Sequence, residues 1–154
     1  MRTRMILLGV TLLAATAACG HKDSHSAAAP APAPQKPVGV QVEQSSLGPI
    51  LTDQNGRTLY AFVNDKGGTS SCTGDCIATW PALVSRQPVT AGTGAEKSLL
   101  AQTTRTEGTA QATYNNWPLY YYVGDVGPGD VDGQGVDGAW FVVGTDGKLI
   151  KTAP

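Results

Sequence analysis

The sequence predicts an all-β fold, a small sandwich or open barrel of about seven or eight short strands built from two related repeats. Three observations predict it. First, a motif recurs: Leu59-Tyr60-Ala61-Phe62-Val63-Asn64-Asp65 and Leu119-Tyr120-Tyr121-Tyr122-Val123-Gly124-Asp125 both read L-Y-x-aromatic-x-x-D, 60 positions apart. The offset persists on both sides, with Asn55 falling on Asn115 and Trp80 on Trp140, so aspartate and tryptophan are 15 residues apart in each copy. Self-similarity at a fixed period marks repeated supersecondary units. Second, short β-prone runs alternate with Gly, Asn and Pro turn signals, and no stretch sustains a helical period. Third, positions 38–154 supply 117 residues, the size of a single domain holding copies at about 48–83 and 108–147.

Residues ahead of that domain read as an export signal and a tether. Arg2 and Arg4 precede an apolar run from Met5 to Ala18, which has the charge and length of a secretory signal and is short for a membrane span. Residues 1–18 are therefore a signal peptide. The run ends in Ala17-Ala18-Cys19-Gly20, which resembles the lipobox at which bacterial lipoproteins are lipidated and cut, although Thr16 stands where a branched aliphatic residue is usual. Two or more acyl chains hold a protein stably on a bilayer, so lipidated Cys19 predicts a membrane partner reached without a transmembrane helix. The alternative is an ordinary signal peptide cut after alanine, leaving an odd thiol. Residues 19–37, with their Ala29-Pro30-Ala31-Pro32-Ala33-Pro34 alternation, offer almost nothing to bury and read as a spacer. His21 and His25 in this spacer read as solvated linker histidines; a Cu(II) or Ni(II) site there would need a free N-terminal amine.

The domain opens with Val38, Val40 and Val42 alternating with polar positions, the period of a half-buried strand. Ile50-Leu51-Thr52 then leads through Asp53-Gln54-Asn55-Gly56 into Arg57 to Val63, and Asn-Gly between β-prone runs predicts a type I′ hairpin. The second copy repeats this with Asn115-Asn116, a less favourable turn, and Pro118 belongs at a strand start or edge. Between the copies there is room for one short helical turn near Trp80, a loop from Pro88 to Gly94, and a strand from Ser98 to Thr104. Ala139 to Val143 and Lys148 to Lys151 flank Asp146-Gly147 as a last hairpin.

Composition excludes several functions. The domain carries seven Lys or Arg and eleven Asp or Glu, a formal charge of −4, with no basic stripe; nucleic acid, whose binding rests on clustered cations, is not an expected partner. The domain contains no histidine, no G-x-S-x-G and no P-loop. Cys72 and Cys76 fit a disulfide in an exported chain; the C-x-x-x-C spacing is not that of thioredoxin, and a zinc site would lack ligands. The acidic segment from Asp125 to Gly138 places Asp125, Asp130, Asp132 and Asp137 among glycines, a composition able to wrap Ca²⁺, but the EF-hand register from Asp130 puts Phe141 where a bidentate Glu is required. No cofactor is predicted. Asp65 and Asp125, in equivalent positions, are expected to accept backbone N–H bonds in the turns that follow them. A catalytic carboxylate pair is the competing reading. Tyr60 with Phe62, and Tyr120 with Tyr122, share a sheet face by strand periodicity and are expected to pack the core, an aromatic recognition strip being the alternative.

At these residues the chain resembles the bacterial family described as a secreted repeat of unknown function, predicted lipoproteins marked by a Y-x-(F/W/Y)-x-x-D motif. Tyr60, Phe62 and Asp65 fill the motif once; Tyr120, Tyr122 and Asp125 fill it again. Ser71-Cys72-Thr73-Gly74-Asp75-Cys76 with Trp80-Pro81, and Trp117-Pro118-Leu119-Tyr120 followed by Pro128-Gly129-Asp130, Gly133-Gln134-Gly135 and Trp140, stand in family-like order. Asn116 departs from the glycine usual there. The resemblance implies export and a lipid anchor but no reaction, substrate or cofactor. The expectation is a membrane-tethered envelope lipoprotein whose domain is a non-enzymatic binding or scaffold module for an unidentified envelope partner. The alternative is a redox- or metal-linked accessory protein using the Cys72/Cys76 loop or the acidic loop. A third reading is an enzyme working from paired carboxylates.

Overall fold

The computed structural model describes residues 37–65 and 67–152. The predicted signal peptide, Cys19, His21, His25 and nearly all of the spacer lie outside the described residues. Within them the chain is all-β: β1 (Gly39–Ser45), β2 (Gly48–Asp53), β3 (Tyr60–Phe62), a short helix α1 (Asp75–Thr79), β4 (Thr90–Ala91), β5 (Leu100–Thr104), β6 (Ala110–Tyr114), β7 (Trp117–Pro118) and β8 (Trp140–Val142). Two 3-10 turns, Lys97–Leu99 and Val136–Gly138, complete it. The strands form three small sheets ordered β2-β1-β4, β3-β8 and β5-β6-β7, and none closes into a barrel. The valine alternation of β1 pairs antiparallel with β2, Val40 opposite Asp53 and Val42 opposite Leu51. Ser98 and Leu99 belong to a 3-10 turn, so the strand predicted from Ser98 begins at Leu100.

The two copies are interlocked rather than stacked. In the first, the Leu51 N–H donates to the Val143 carbonyl at 2.9 Å, Val143 to Leu59 at 3.3 Å and Leu59 back to Leu51 at 3.0 Å. In the second, Ala112 donates to Leu83 at 2.8 Å, Leu83 to Leu119 at 2.9 Å and Leu119 back to Ala112 at 3.0 Å. The third member of each ring comes from the other copy, because the extended segment following Trp80 pairs with the second repeat, Ala82 opposite Tyr120 and Val84 opposite Gln111, and the one following Trp140 pairs with the first. Tyr60 and Tyr120 exchange backbone bonds of 2.8 and 2.9 Å, which puts an approximate twofold axis between them. Leu51, Leu59, Leu119 and Val143 are fully buried around these rings, each contributing about 1.5–3 kcal/mol of hydrophobic stabilisation.

The hairpin turns reverse the sequence expectation. Asn55 is not in the left-handed region; Gly56 alone is, at φ 81°, and the Asp53 N–H donates to the Arg57 carbonyl at 2.9 Å. This is the three-residue hairpin in which a type I turn precedes a left-handed glycine, not a type I′ turn. The cause is Asp53, 2 % exposed, whose carboxylate accepts the Asn55 and Arg57 N–H groups at 2.8 and 3.0 Å and holds the extra residue in place. Asn115 and Asn116, at φ 48° and 62°, make the two-residue turn with both central residues left-handed, as a type I′ turn requires. The second copy's hairpin is therefore one residue shorter. Pro118 sits on β7, at the edge of its sheet, where a missing N–H costs no ladder bond.

Candidate functional site

The repeated motif folds into a reciprocal lock. Each tyrosine reaches the aspartate of the other copy: the Tyr60 hydroxyl donates to Asp125 Oδ2 at 2.9 Å and the Tyr120 hydroxyl to Asp65 Oδ2 at 2.6 Å. Both tyrosines are fully buried and Asp65 is 4 % exposed. Burial, reinforced by the adjoining carboxylates, pushes both phenols well above their ordinary range, so they stay protonated and act as donors. The expected bonds from backbone are present too: Asp65 Oδ1 accepts from the Ser71 N–H at 2.7 Å and Asp125 Oδ1 from the Asp132 N–H at 3.1 Å. Each carboxylate is thus held by a tyrosine of the opposite copy.

The two ends of this lock differ. Around Tyr120 the loop carrying the cysteines is tied down by Arg105, 5 % exposed. Its Nη1 donates to Ser70 Oγ at 2.6 Å and to Gln111 Oε1 at 2.9 Å, and its Nη2 to the Cys72 carbonyl at 2.8 Å, while Nε pairs with Glu107. Ser70 Oγ in turn lies 2.7 Å from the Tyr120 hydroxyl. The Glu107 carboxyl is held down to about 2, foremost by that guanidinium. Around Tyr60 no cation among the described residues takes that part. The Gly133 N–H donates to the Tyr60 hydroxyl at 3.2 Å, and the backbone there passes so close that a Cβ on Gly133 would lie 2.8 Å from Trp80 and 2.9 Å from Tyr60. Asp125 is half-buried and its carboxyl is pushed up to about 6: desolvation outweighs the Tyr60 and Asp132 hydrogen bonds, and the charges of Asp132 and Asp130 add to it.

Above the lock the motif's aromatics form one stack of four rings. Phe62 stacks on Trp140 at 4.4 Å, Trp140 on Trp80 at 3.9 Å with the planes 2° apart, and Trp80 against Tyr122 at 4.5 Å. Tyr60 and Tyr120 meet Trp80 and Trp140 edge-on at 5.4 and 5.2 Å, the geometry favoured by ring quadrupoles. The core expectation holds for Tyr60 and Tyr120, with Trp80 and Trp140 buried beside them, whereas Phe62 and Tyr122 remain partly open. All four stacked rings line a groove of about 580 Å³ whose remaining walls come from α1 and the 3-10 turn at Val136–Gly138, with Asn64, Thr79, Asp75 and Asp137 among its polar groups. A larger depression of about 620 Å³ along Val38, Val84 to Gln87 and Gly108 to Ala110 includes no residue of the motif.

Cys72 and Cys76 are joined by a disulfide; Cys72 is 1 % exposed and Cys76 faces the groove. Of the four acidic-loop residues with calcium-like spacing, Asp130 accepts the Val126 and Gly127 N–H groups at 2.9 and 2.7 Å, and Asp125 is engaged by Tyr60 and Asp132. Asp137 stands apart on the groove. Among the described residues no three His, Cys, Asp or Glu side chains converge in metal-binding geometry, and no helix is long and apolar enough to cross a membrane.

Arg105, Gln111, Ser70 and Gly133 were not legible as site residues from the sequence. For Ser70 and Gly133 a signal existed, since they adjoin or belong to the segments in family-like order; for Arg105 only its isolation from other cations hinted at a specific partner. Comparison with known proteins finds no match among curated proteins and none among solved structures. A family model does match, twice, at residues 41–84 and 101–144, each match ending just past the residue that crosses into the other copy. On those two matches, the chain belongs to the family described as a secreted repeat of unknown function.

Proposed function

We propose that this is an envelope lipoprotein, held on a bacterial membrane through lipidated Cys19, whose β domain is a non-enzymatic binding or scaffold module with the aromatic groove as its contact face. The observation that carries the reading is the division of labour within the motif. In the motif, Tyr60, Tyr120, Asp65 and Asp125 are bonded to one another across the copies, which leaves them to hold the fold. Its remaining aromatics, Phe62 and Tyr122, open on the groove. Aromatic-lined concavities with a few polar groups are where ligands dock on small domains, and the two segments in which the copies differ, α1 and the acidic loop, form its other walls. Secretion of the family supports export.

Two experiments test this. Labelled palmitate should be incorporated by the wild type and not by Cys19→Ala, which should move from the membrane to the soluble fraction; retention of Cys19→Ala on membranes contradicts the anchor. A photoreactive residue placed at Asn64 on the groove should form a discrete adduct in living cells, while one at exposed Thr106 should not. Equal labelling at both positions contradicts the groove as contact face. The partial exposure of Cys76 on the groove, beside a buried Cys72, favours one second reading, thiol exchange at the groove, and a disulfide that reacts with glutathione under native conditions would support it.

A further inference from the structure

We propose that the groove takes an organic dication of the diamine or polyamine class, Asp75 and Asp137 receiving its ammonium groups and the aromatic stack its methylene chain. This rests on the groove being a binding site and adds the chemistry of its ligand. Among the described residues, those lining the groove include two carboxylates and no lysine or arginine, in a domain of formal charge −4. Both aspartates are exposed, and the ion pairs among the described residues, Arg105 with Glu107 and Lys148 with Asp146, involve neither. Anions are therefore repelled and cations attracted.

The choice among cations follows from what else the groove offers. A hard metal ion wants six to eight oxygens for Ca²⁺, or a near-complete octahedron for Mg²⁺, and no three carboxylate, imidazole or thiol side chains converge among the described residues. An ammonium group needs fewer acceptors. The same groove has an apolar floor, Phe62, Trp140, Trp80 and Tyr122 in contact ring on ring, which a hydrated metal ion cannot use but a methylene chain can cover. Aromatic rings also attract alkylammonium groups through their quadrupoles. The number of charges follows from the repeat. Asp75 opens α1 in the first copy and Asp137 lies in the 3-10 turn of the second, elements that follow Asp65 and Asp125 at nearly the same spacing. One carboxylate from each copy matches a ligand with two ammonium groups.

The test is a titration of the full-length protein in detergent with spermidine, read by the fluorescence of the groove tryptophans. Saturable quenching with a Kd of roughly 0.1–1 mM is expected. Asp75→Asn and Asp137→Asn should each weaken binding about threefold, as exposed ion pairs do, and the double variant about tenfold. Asp146→Asn, which changes the net charge equally but lies off the groove, should leave Kd unchanged, and 1,4-butanediol should give no signal. Circular dichroism of each variant confirms that the fold is kept. Absence of saturation, a response indifferent to both groove substitutions, an equal loss in Asp146→Asn, or tighter binding of Ca²⁺ than of spermidine would each overturn the proposal. A groove-specific adduct at Asn64 together with no spermidine binding would leave the groove as contact face and remove only its assignment to cations.

Discussion

Replacing Arg105 by methionine removes the cation buried beside Tyr120 while keeping much of the side-chain volume. Besides the half-exposed Glu107, three acceptors lose their donor: Gln111 Oε1, the Cys72 carbonyl and Ser70 Oγ, now at 2.9, 2.8 and 2.6 Å from the guanidinium. Ser70 is only partly buried and still donates to the Tyr120 hydroxyl, so two buried acceptors are orphaned, and an orphaned buried group costs about 1–3 kcal/mol. The expected loss is about 3 kcal/mol, or a fall of roughly 10 °C or more in Tm for a domain of this size. Urea unfolding followed by tryptophan fluorescence, with the disulfide intact, measures it. Arg105→Lys can restore only part of the fan of bonds and should fall between wild type and Arg105→Met. Glu107→Ala takes the partner from Nε but leaves the other three bonds of the guanidinium in place, so it should cost clearly less than Arg105→Met. A loss below about 1 kcal/mol for Arg105→Met, or an equal loss for Glu107→Ala, would refute the reasoning.

Cys72→Ala/Cys76→Ala should cost about 2 kcal/mol from the short loop that the disulfide closes, with the native circular dichroism retained, since Ser71 and the Cys72 carbonyl remain tied to Asp65 and Arg105. Gly133→Ala should destabilise by about 1–3 kcal/mol through overpacking against Trp80 and Tyr60, visible as a lower urea midpoint and a shifted tryptophan emission. The Asp125 carboxyl is raised to about 6 in the folded state, so the folded form binds its proton more tightly than the unfolded form does. This group's contribution is present below its unfolded value near 4 and is lost as pH rises through about 6. Stability of wild type relative to Asp125→Asn, measured by urea unfolding, should therefore fall between pH 4.5 and 7, by under about 1 kcal/mol after allowance for its half-exposed position; an increase would contradict the assignment.

Much of the fold was legible because it depends on local signals. The valine alternation at Val38, Val40 and Val42 marked β1, Asp146-Gly147 marked the last hairpin, and the 60-residue offset announced two copies. What one sequence could not show was that the copies exchange strands. Leu83 and Val143 read as ordinary apolar residues after a tryptophan, and their hydrogen-bond partners are set by tertiary pairing. The same limit hid the Tyr–Asp lock. Asp65 and Asp125 were expected to accept backbone N–H groups, which they do, but the phenol that each also accepts comes from 55 or 65 residues away. The turn at Asn55-Gly56 was misread because the buried Asp53 carboxylate, not the dipeptide, selects its geometry. The 60-residue offset aligned Trp80 with Trp140, while their face-to-face contact at the floor of the groove needed three dimensions.

The interlocked copies are tested most directly by double-mutant cycles on the four motif residues, using Tyr→Phe and Asp→Asn and urea unfolding as the readout. Tyr120 with Asp65, and Tyr60 with Asp125, should show coupling of about 1 kcal/mol or more, the larger value for the shorter and more buried Tyr120–Asp65 bond. Tyr60 with Asp65, and Tyr120 with Asp125, share a copy but no bond and should couple by less than about 0.5 kcal/mol. Coupling confined to residues of the same copy would mean that each repeat closes on itself, and would contradict the account.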